Sequence, residues 1–187
     1  GFDQTLLLLD GMKMDDSQTG HHTLNMLIPI ELIERVEIIK GPAARIFGQN
    51  AFNGAINIVT KSAYKTRKGE FSAFLNNISG GSFGNFKYSV RGNISKDNYK
   101  GLINYSREKS NGYRYNTDYK TDNLFLKSSL SKNNPNTIVL ATLSNRKFGA
   151  NGFYASPDAT DQYEETQTSL LGVYSTYSSG NLIIKPK

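Results

Sequence analysis

The chain has 187 residues, 37% of them hydrophobic, and no cysteine, so disulfides, thiolate metal centres and cysteine nucleophiles are excluded. Its formal charge of +6 is spread one Lys or Arg at a time along alternating segments, without the dense basic run of a nucleic-acid surface, and no nucleic-acid partner is expected. No apolar stretch approaches the ~20 residues that a membrane-spanning helix needs, which excludes helical spans but not a barrel of strands.

Residues 1–9 carry no basic, apolar and cleavable leader, so any export signal is expected upstream of Gly1. Leu6-Leu7-Leu8-Leu9 is too short a run to favour a helix and reads as a strand, closed by Asp10-Gly11, a dipeptide suited to positive φ in a tight turn. Pro29 fits the first turn of a helix, and Glu31, Leu32, Ile33 and Glu34 supply a helical turn with its acids near the N-terminus. Residues 36–39 are strand-like. Gly41-Pro42 breaks that strand, residues 43–47 can form one or two helical turns, and Gly48 ends them before the strand-like GAINIVT of Gly54–Thr60. Residues 1 to about 62 thus read as a compact mixed α/β domain.

From Gly69 onward the pattern changes to segments of ten or more residues, rich in Tyr, Phe, Ser, Thr and Asn, separated by turn residues. Phe86, Tyr88, Val90, Gly92 and Ile94 alternate with Lys87, Ser89, Arg91, Asn93 and Ser95, so one face is apolar and the other polar. In residues 124–131, Leu124, Leu126 and Leu130 alternate with polar neighbours, but Phe125 and Ser128 break the pattern. Ile103 with Tyr105, residues 139–143 and residues 170–177 are further strand segments whose facing is open. The connections at 96–98, 132–136 and 179–180 are short, whereas 109–119 and 148–165 are long. If residues 69–79 ascend from the periplasm, every shortest connection falls on the inner side, the asymmetry of an outer-membrane barrel. Alternation by itself also fits a soluble antiparallel sheet with one solvated face.

Other chemistries lack support. Residues 41–50 are bounded by glycine but lack the Gly-Lys-Ser/Thr ending of a phosphate loop, and the two histidines are neighbours with no Ser/His/acid grouping around them. No enzymatic activity is expected.

The ordered series Leu9-Asp10-Gly11, then Ile33-Glu34-Arg35-Val36-Glu37-Ile38-Ile39-Lys40-Gly41-Pro42, then Phe47-Gly48-Gln49-Asn50-Ala51 and Gly54-Ala55-Ile56-Asn57-Ile58-Val59-Thr60-Lys61 closely resembles the plug of TonB-dependent outer-membrane receptors. Motifs kept in order over about fifty residues are far more specific than one glycine motif. Gln18-Thr19-Gly20-His21-His22 and residues 148–154 are similar to receptors for cobalamin and related chelates. The sequence departs from the commonest plug pattern at Ala44, Phe47 and Asn53, which bears on the apical loops.

The resemblance implies a mixed α/β plug over residues 1–66, followed over 67–187 by antiparallel transmembrane strands of a roughly 22-stranded barrel. About six strands and part of a seventh are expected, a partial and unclosed barrel that would not transport alone. It further implies the bacterial outer membrane with its lipid, and energy coupling to TonB-ExbB-ExbD through a segment before Gly1. The implied ligand is cobalamin or another metal chelate, with a ferric siderophore, haem or a glycan as alternatives and a passive structural barrel as a different class.

Aligned with cobalamin-type receptors, Asp15, His21 and His22 fall on the first apical loop and Gln49 and Asn50 on the second, facing the ligand. Amides and carboxylates there would hydrogen-bond an amide-rimmed corrinoid, although adjacent histidines on a strand point oppositely and make a two-histidine chelate a poor fit. In the outer loops Phe153, Tyr154 and Tyr163 could wall a large ligand or could pack at the membrane boundary. Asp118, Asp158, Asp161 and Glu164 could hold Ca²⁺ with loop carbonyls or form a solvated acidic loop.

Overall fold

The computed structural model describes residues 5–14, 28–41, 51, 53–63, 70–131, 136–154, 156–179 and 182–184. The chain divides into two units, Gly1–Lys61 and Ser62–Lys187.

In the first unit, β1 (Thr5–Leu9), β2 (Met12–Met14), β3 (Ile33–Lys40) and β4 (Gly54–Thr60) form one sheet in the order β2-β1-β4-β3. β1 runs parallel to β4, and the other pairs are antiparallel. Leu6, Leu7, Leu8 and Leu9 are all buried. A continuous apolar run is what a central strand covered on both faces requires. The Asp10-Gly11 turn has φ of 49° and 77°, and it closes the hairpin between Leu9 and Met12. Leu6 and Leu8 pack with Ala51 and Ala55, and Ile39 lies against them. Gly54 has φ +147°, and a Cβ there would fall 2.2 Å from the Ile39 carbonyl oxygen, so only glycine lets β3 and β4 approach.

The helical turn expected over residues 31–34 is shorter and earlier. A 3₁₀ turn occupies Ile30–Leu32, and Ile33 and Glu34 already belong to β3, where Ile33 pairs with Thr60. Cross-strand bonding to β4 outweighs weak helical preference in a segment containing β-branched Ile33 and Val36. The helical turns expected over 43–47 lie outside the described residues. Among the described residues this unit is strands and one 3₁₀ turn.

The second unit is an antiparallel meander of seven strands, each bonded to its neighbour in sequence: β5 (Phe71–Gly80), β6 (Phe86–Lys96), β7 (Tyr99–Ser110), β8 (Tyr119–Ser131), β9 (Asn136–Gly149), β10 (Tyr163–Ser179) and β11 (Leu182–Ile184). The chain of pairings does not close on itself among the described residues. β7, at 12 residues, would cross roughly 30 Å when tilted as barrel strands are, enough for a hydrocarbon layer.

The polarity of this sheet is inverted relative to a water-soluble one. On β6, Ser89, Arg91 and Asn93 are buried, while Phe86 and Val90 are 38% and 43% exposed. Register carries the pattern across the sheet: Val90 pairs with Tyr105, Tyr105 with Leu124 and Leu124 with Leu143. The opposite face carries Arg91 on Asn104, Asn104 on Phe125 and Phe125 on Thr142, all four fully or nearly fully buried. The two residues that broke alternation are thereby explained. Phe125 joins Leu102 and Leu140 as apolar members of the buried face, and Ser128 lies in register with Val139 on the apolar one. Ile103, Tyr105, Leu143, Leu171 and Val173, whose facing was open, all lie on the exposed apolar face.

Candidate ligand-binding rim

Antiparallel succession puts the loops 81–85, 111–118 and 150–162 at one end of the sheet and the Asp97-Asn98 turn at the other. Asp97 adopts φ 50°, which a short polar side chain tolerates in a two-residue hairpin turn. The long-loop end is where side chains free of ladder pairing gather.

These loops are laced together by directed bonds. The Asn111 N–H donates to the Phe83 carbonyl at 2.8 Å, joining the first loop to the second. Asn85 donates through Nδ2 to the Tyr119 hydroxyl at 3.0 Å, and that hydroxyl donates to Glu108 at 2.7 Å. Between the second and third loops, Asn116 Nδ2 donates to the carbonyls of Thr160 at 2.8 Å and Gln162 at 2.6 Å. Asn151 Nδ2 donates to the Tyr115 carbonyl at 2.7 Å, and the Tyr115 hydroxyl donates to Asp161 at 2.6 Å. Asn116 sits at φ 50°, in the left-handed region that asparagine enters more readily than most residues. Gly149 leaves room for it, since a Cβ there would fall 2.4 Å from Asn116 Oδ1.

The laced loops present aromatic surface. Phe153 is 71% exposed and packs edge-on against Tyr154 at 4.7 Å between ring centroids. Tyr113 and Tyr115 are equally open, and the Arg114 guanidinium lies 5.5 Å from the Tyr113 ring centroid. Phe83 holds φ 58°, a strained conformation for a bulky residue, with its ring exposed at the tip of the first loop. The Asp161 carboxylate, as hydrogen-bond acceptor, raises the pKa of Tyr115. Burial first, and the hydrogen bond to Glu164 second, push Tyr154 up to about 12. Both phenols are therefore neutral donors at physiological pH.

Phe153 and Tyr154 stand together on the third loop. Tyr163 is the first residue of β10, in register with Gly149 and on the face that carries Leu171 and Val173, away from Glu164 on the opposite face. Of the four acids, Asp161 accepts from Tyr115 and Glu164 from Tyr154, while the backbone carbonyls of Asp118 and Asp158 accept from Gly149 and Thr160. No group of three or more His, Cys, Asp or Glu able to hold a metal ion occurs among the described residues. Asp15, His21, His22, Gln49 and Asn50 lie outside the described residues. Phe83, Tyr113, Arg114 and Tyr115 were missed by sequence reasoning. The clustered Tyr113-Arg114-Tyr115 inside a predicted long loop was the available signal.

Comparison with known proteins places this geometry in context. The family described as TonB-dependent Receptor Plug Domain matches residues 1–55. The chain is 34% identical over 112 residues to the vitamin B12 transporter BtuB of Vibrio vulnificus, covering 60% of this chain and 18% of that protein. It is 28% identical over 120 residues to the ferric enterobactin receptor of Pseudomonas aeruginosa, covering 51% and 16%. The chain thus spans less than a fifth of the length of these relatives. In fold it is similar to the copper transporter OprC, with a TM-score of 0.74 at 16% identity over 97% of this chain and 28% of that one. The siderophore receptor PiuA of Acinetobacter baumannii gives 0.72 at 13% identity over 98% and 28%.

Proposed function

We propose that the protein is a TonB-dependent outer-membrane receptor, as the plug-family match and the likeness to vitamin B12 transporters support, and that it imports a scarce metal chelate of the cobalamin type across the bacterial outer membrane, driven by TonB-ExbB-ExbD. The observation that carries the reading is the inverted polarity of the seven-stranded sheet, with Val90, Ile103, Leu124 and Leu143 exposed on one face and Arg91, Asn104 and Thr142 buried on the other. A strand can cross a bilayer only with its backbone groups paired in the sheet and its lipid-facing side chains apolar.

Uptake of this kind is capture followed by gating, and no bond in the ligand is broken. The laced outer loops offer the aromatic wall of Phe153 and Tyr154 with Phe83 and Tyr113 nearby in the loop set, suited to a large, rigid and partly apolar ligand. In this proposal Asp15, His21, His22, Gln49 and Asn50 supply the polar contacts from the apical loops. A ferric siderophore is the second reading, favoured by the match to the enterobactin receptor.

A strain carrying the full-length gene, or a deletion of it, grown under separate cobalamin and iron limitation distinguishes the two. Cobalamin-dependent growth that is lost on deletion and on removal of TonB supports the proposal. A defect confined to iron limitation transfers the ligand to a siderophore, and growth indifferent to TonB overturns active uptake.

A further inference from the structure

Above the apolar band, at the long-loop end, the exposed face of the sheet changes character. Lys109 on β7 pairs with Lys120 on β8, and Lys120 pairs with Lys147 on β9. No register shift separates these residues from Tyr105, Leu124 and Leu143 below them, so all three ammonium groups emerge on the lipid-facing side. Directly opposite residues on adjacent strands lie about 5 Å apart, and like charges so placed repel.

The sheet compensates only part of that charge. Glu165, opposite Lys147, bonds it at 2.7 Å. Asp122 lies 2.5 Å from Arg107 and 3.9 Å from Lys120, so its carboxylate is shared, with the nearer contact to the guanidinium. Lys109 has no ion pair among the described residues. Arg107, Lys109, Lys120 and Lys147 therefore face two carboxylates, and the excess is cationic.

We infer that the Lys109, Lys120 and Lys147 row is a docking surface for the phosphate-bearing headgroup of a membrane lipid in the leaflet on the long-loop side. Two observations favour a lipid over a soluble anion. The row lies on the same face as the apolar band of Val90, Ile103, Leu124 and Leu143, separated from it only by the row of Arg107, Asp122 and Asn145, so a molecule whose tails lie on that band brings its headgroup to the lysines. Phe86 lies in the row itself, in register with Lys109, and Tyr88, 6.0 Å from it between ring centroids, and Tyr105, 6.1 Å from Tyr88, continue the aromatic surface beneath the lysines, the arrangement of side chains at a headgroup boundary. Lysine suits this role because it binds phosphate as a mobile point charge without demanding one geometry.

The test uses the full-length receptor in phosphatidylcholine nanodiscs doped with diphosphoryl lipid A, with bound lipid counted by native mass spectrometry after release. Retention is expected to fall at least tenfold in the triple variant Lys109→Gln, Lys120→Gln, Lys147→Gln and to return in the triple Arg variant. Lys96→Gln, at the opposite end of the sheet, should match the parent. Heat-modifiable migration on gels verifies that each variant is folded. Equal retention by the triple Gln variant and the parent overturns the proposal. So does complete displacement of the lipid by millimolar inorganic phosphate, which would identify a free-anion site.

Discussion

The carboxylate of Asp10 holds Thr60 twice, taking the backbone N–H at 2.9 Å and the hydroxyl at 2.5 Å across fifty positions of sequence. The turn after β1 is thereby locked to the end of β4. Asp10 also occupies the left-handed region. Replacing Asp10 by Ala removes both bonds and adds backbone strain, for an expected loss of about 2–4 kcal/mol in the plug unit. Hydrogen exchange of the Thr60 amide in the full-length receptor should accelerate, while amides of β7 and β8 keep their protection.

Val90 and Ser89 test the inverted sheet. Val90→Arg places a charge on the lipid-facing side and is expected to cost about 2–4 kcal/mol near the middle of the bilayer. Ser89 donates to Asn104 at 3.0 Å on the buried face, so Ser89→Ala should cost only about 1 kcal/mol. Urea titration of the receptor folded into vesicles measures both. A larger effect at Ser89 than at Val90 would reverse the assignment of faces.

Asn116 is the clip between the second and third long loops. Asn116→Ala loses two hydrogen bonds and strains a φ of 50°, so limited proteolysis should cut within residues 150–162 several times faster. Tyr115→Phe, which removes only the bond to Asp161, should give a smaller increase. Ligand affinity should fall in the same order.

Acid sensitivity of the plug unit has an identifiable contributor in Glu37. The Asn57 amide, donating at 2.8 Å, and then Arg35, donating at 2.9 Å, hold the Glu37 carboxyl below its ordinary value of 4.5. A pKa lower in the folded state means that the stabilisation is complete above about pH 4.5 and is lost as pH falls through the lower folded value. Glu37→Gln should flatten the acid limb of a stability-against-pH curve by slightly lowering stability above about pH 4.5, while leaving the acid end nearly unchanged.

Much of the architecture was legible because its signals are local. The two-residue period of Phe86, Tyr88 and Val90 needs only the pleat of a strand, and Asp10-Gly11 marks its turn through the φ values those residues accept. The plug motifs kept order and spacing. Legibility failed where partners are remote. Ile33 and Glu34 became strand because β4 lies alongside them, and Phe125 turned to the buried face because Asn104 and Thr142 set its register. Tyr115 and Asp161 meet across 46 positions, with no local pattern to announce them.

By itself, then, the order of residues determined most of the strands and their turns, because each depends on backbone conformation within a few positions. Only the tertiary structure decided which face of the alternating sheet is exposed. A period of two is identical whether the apolar side meets a core or lipid, and burial of Arg91 and Asn93 beside an exposed Val90 separates the cases. The lysine row likewise exists only in the folded sheet, since Lys109, Lys120 and Lys147 become neighbours through antiparallel register.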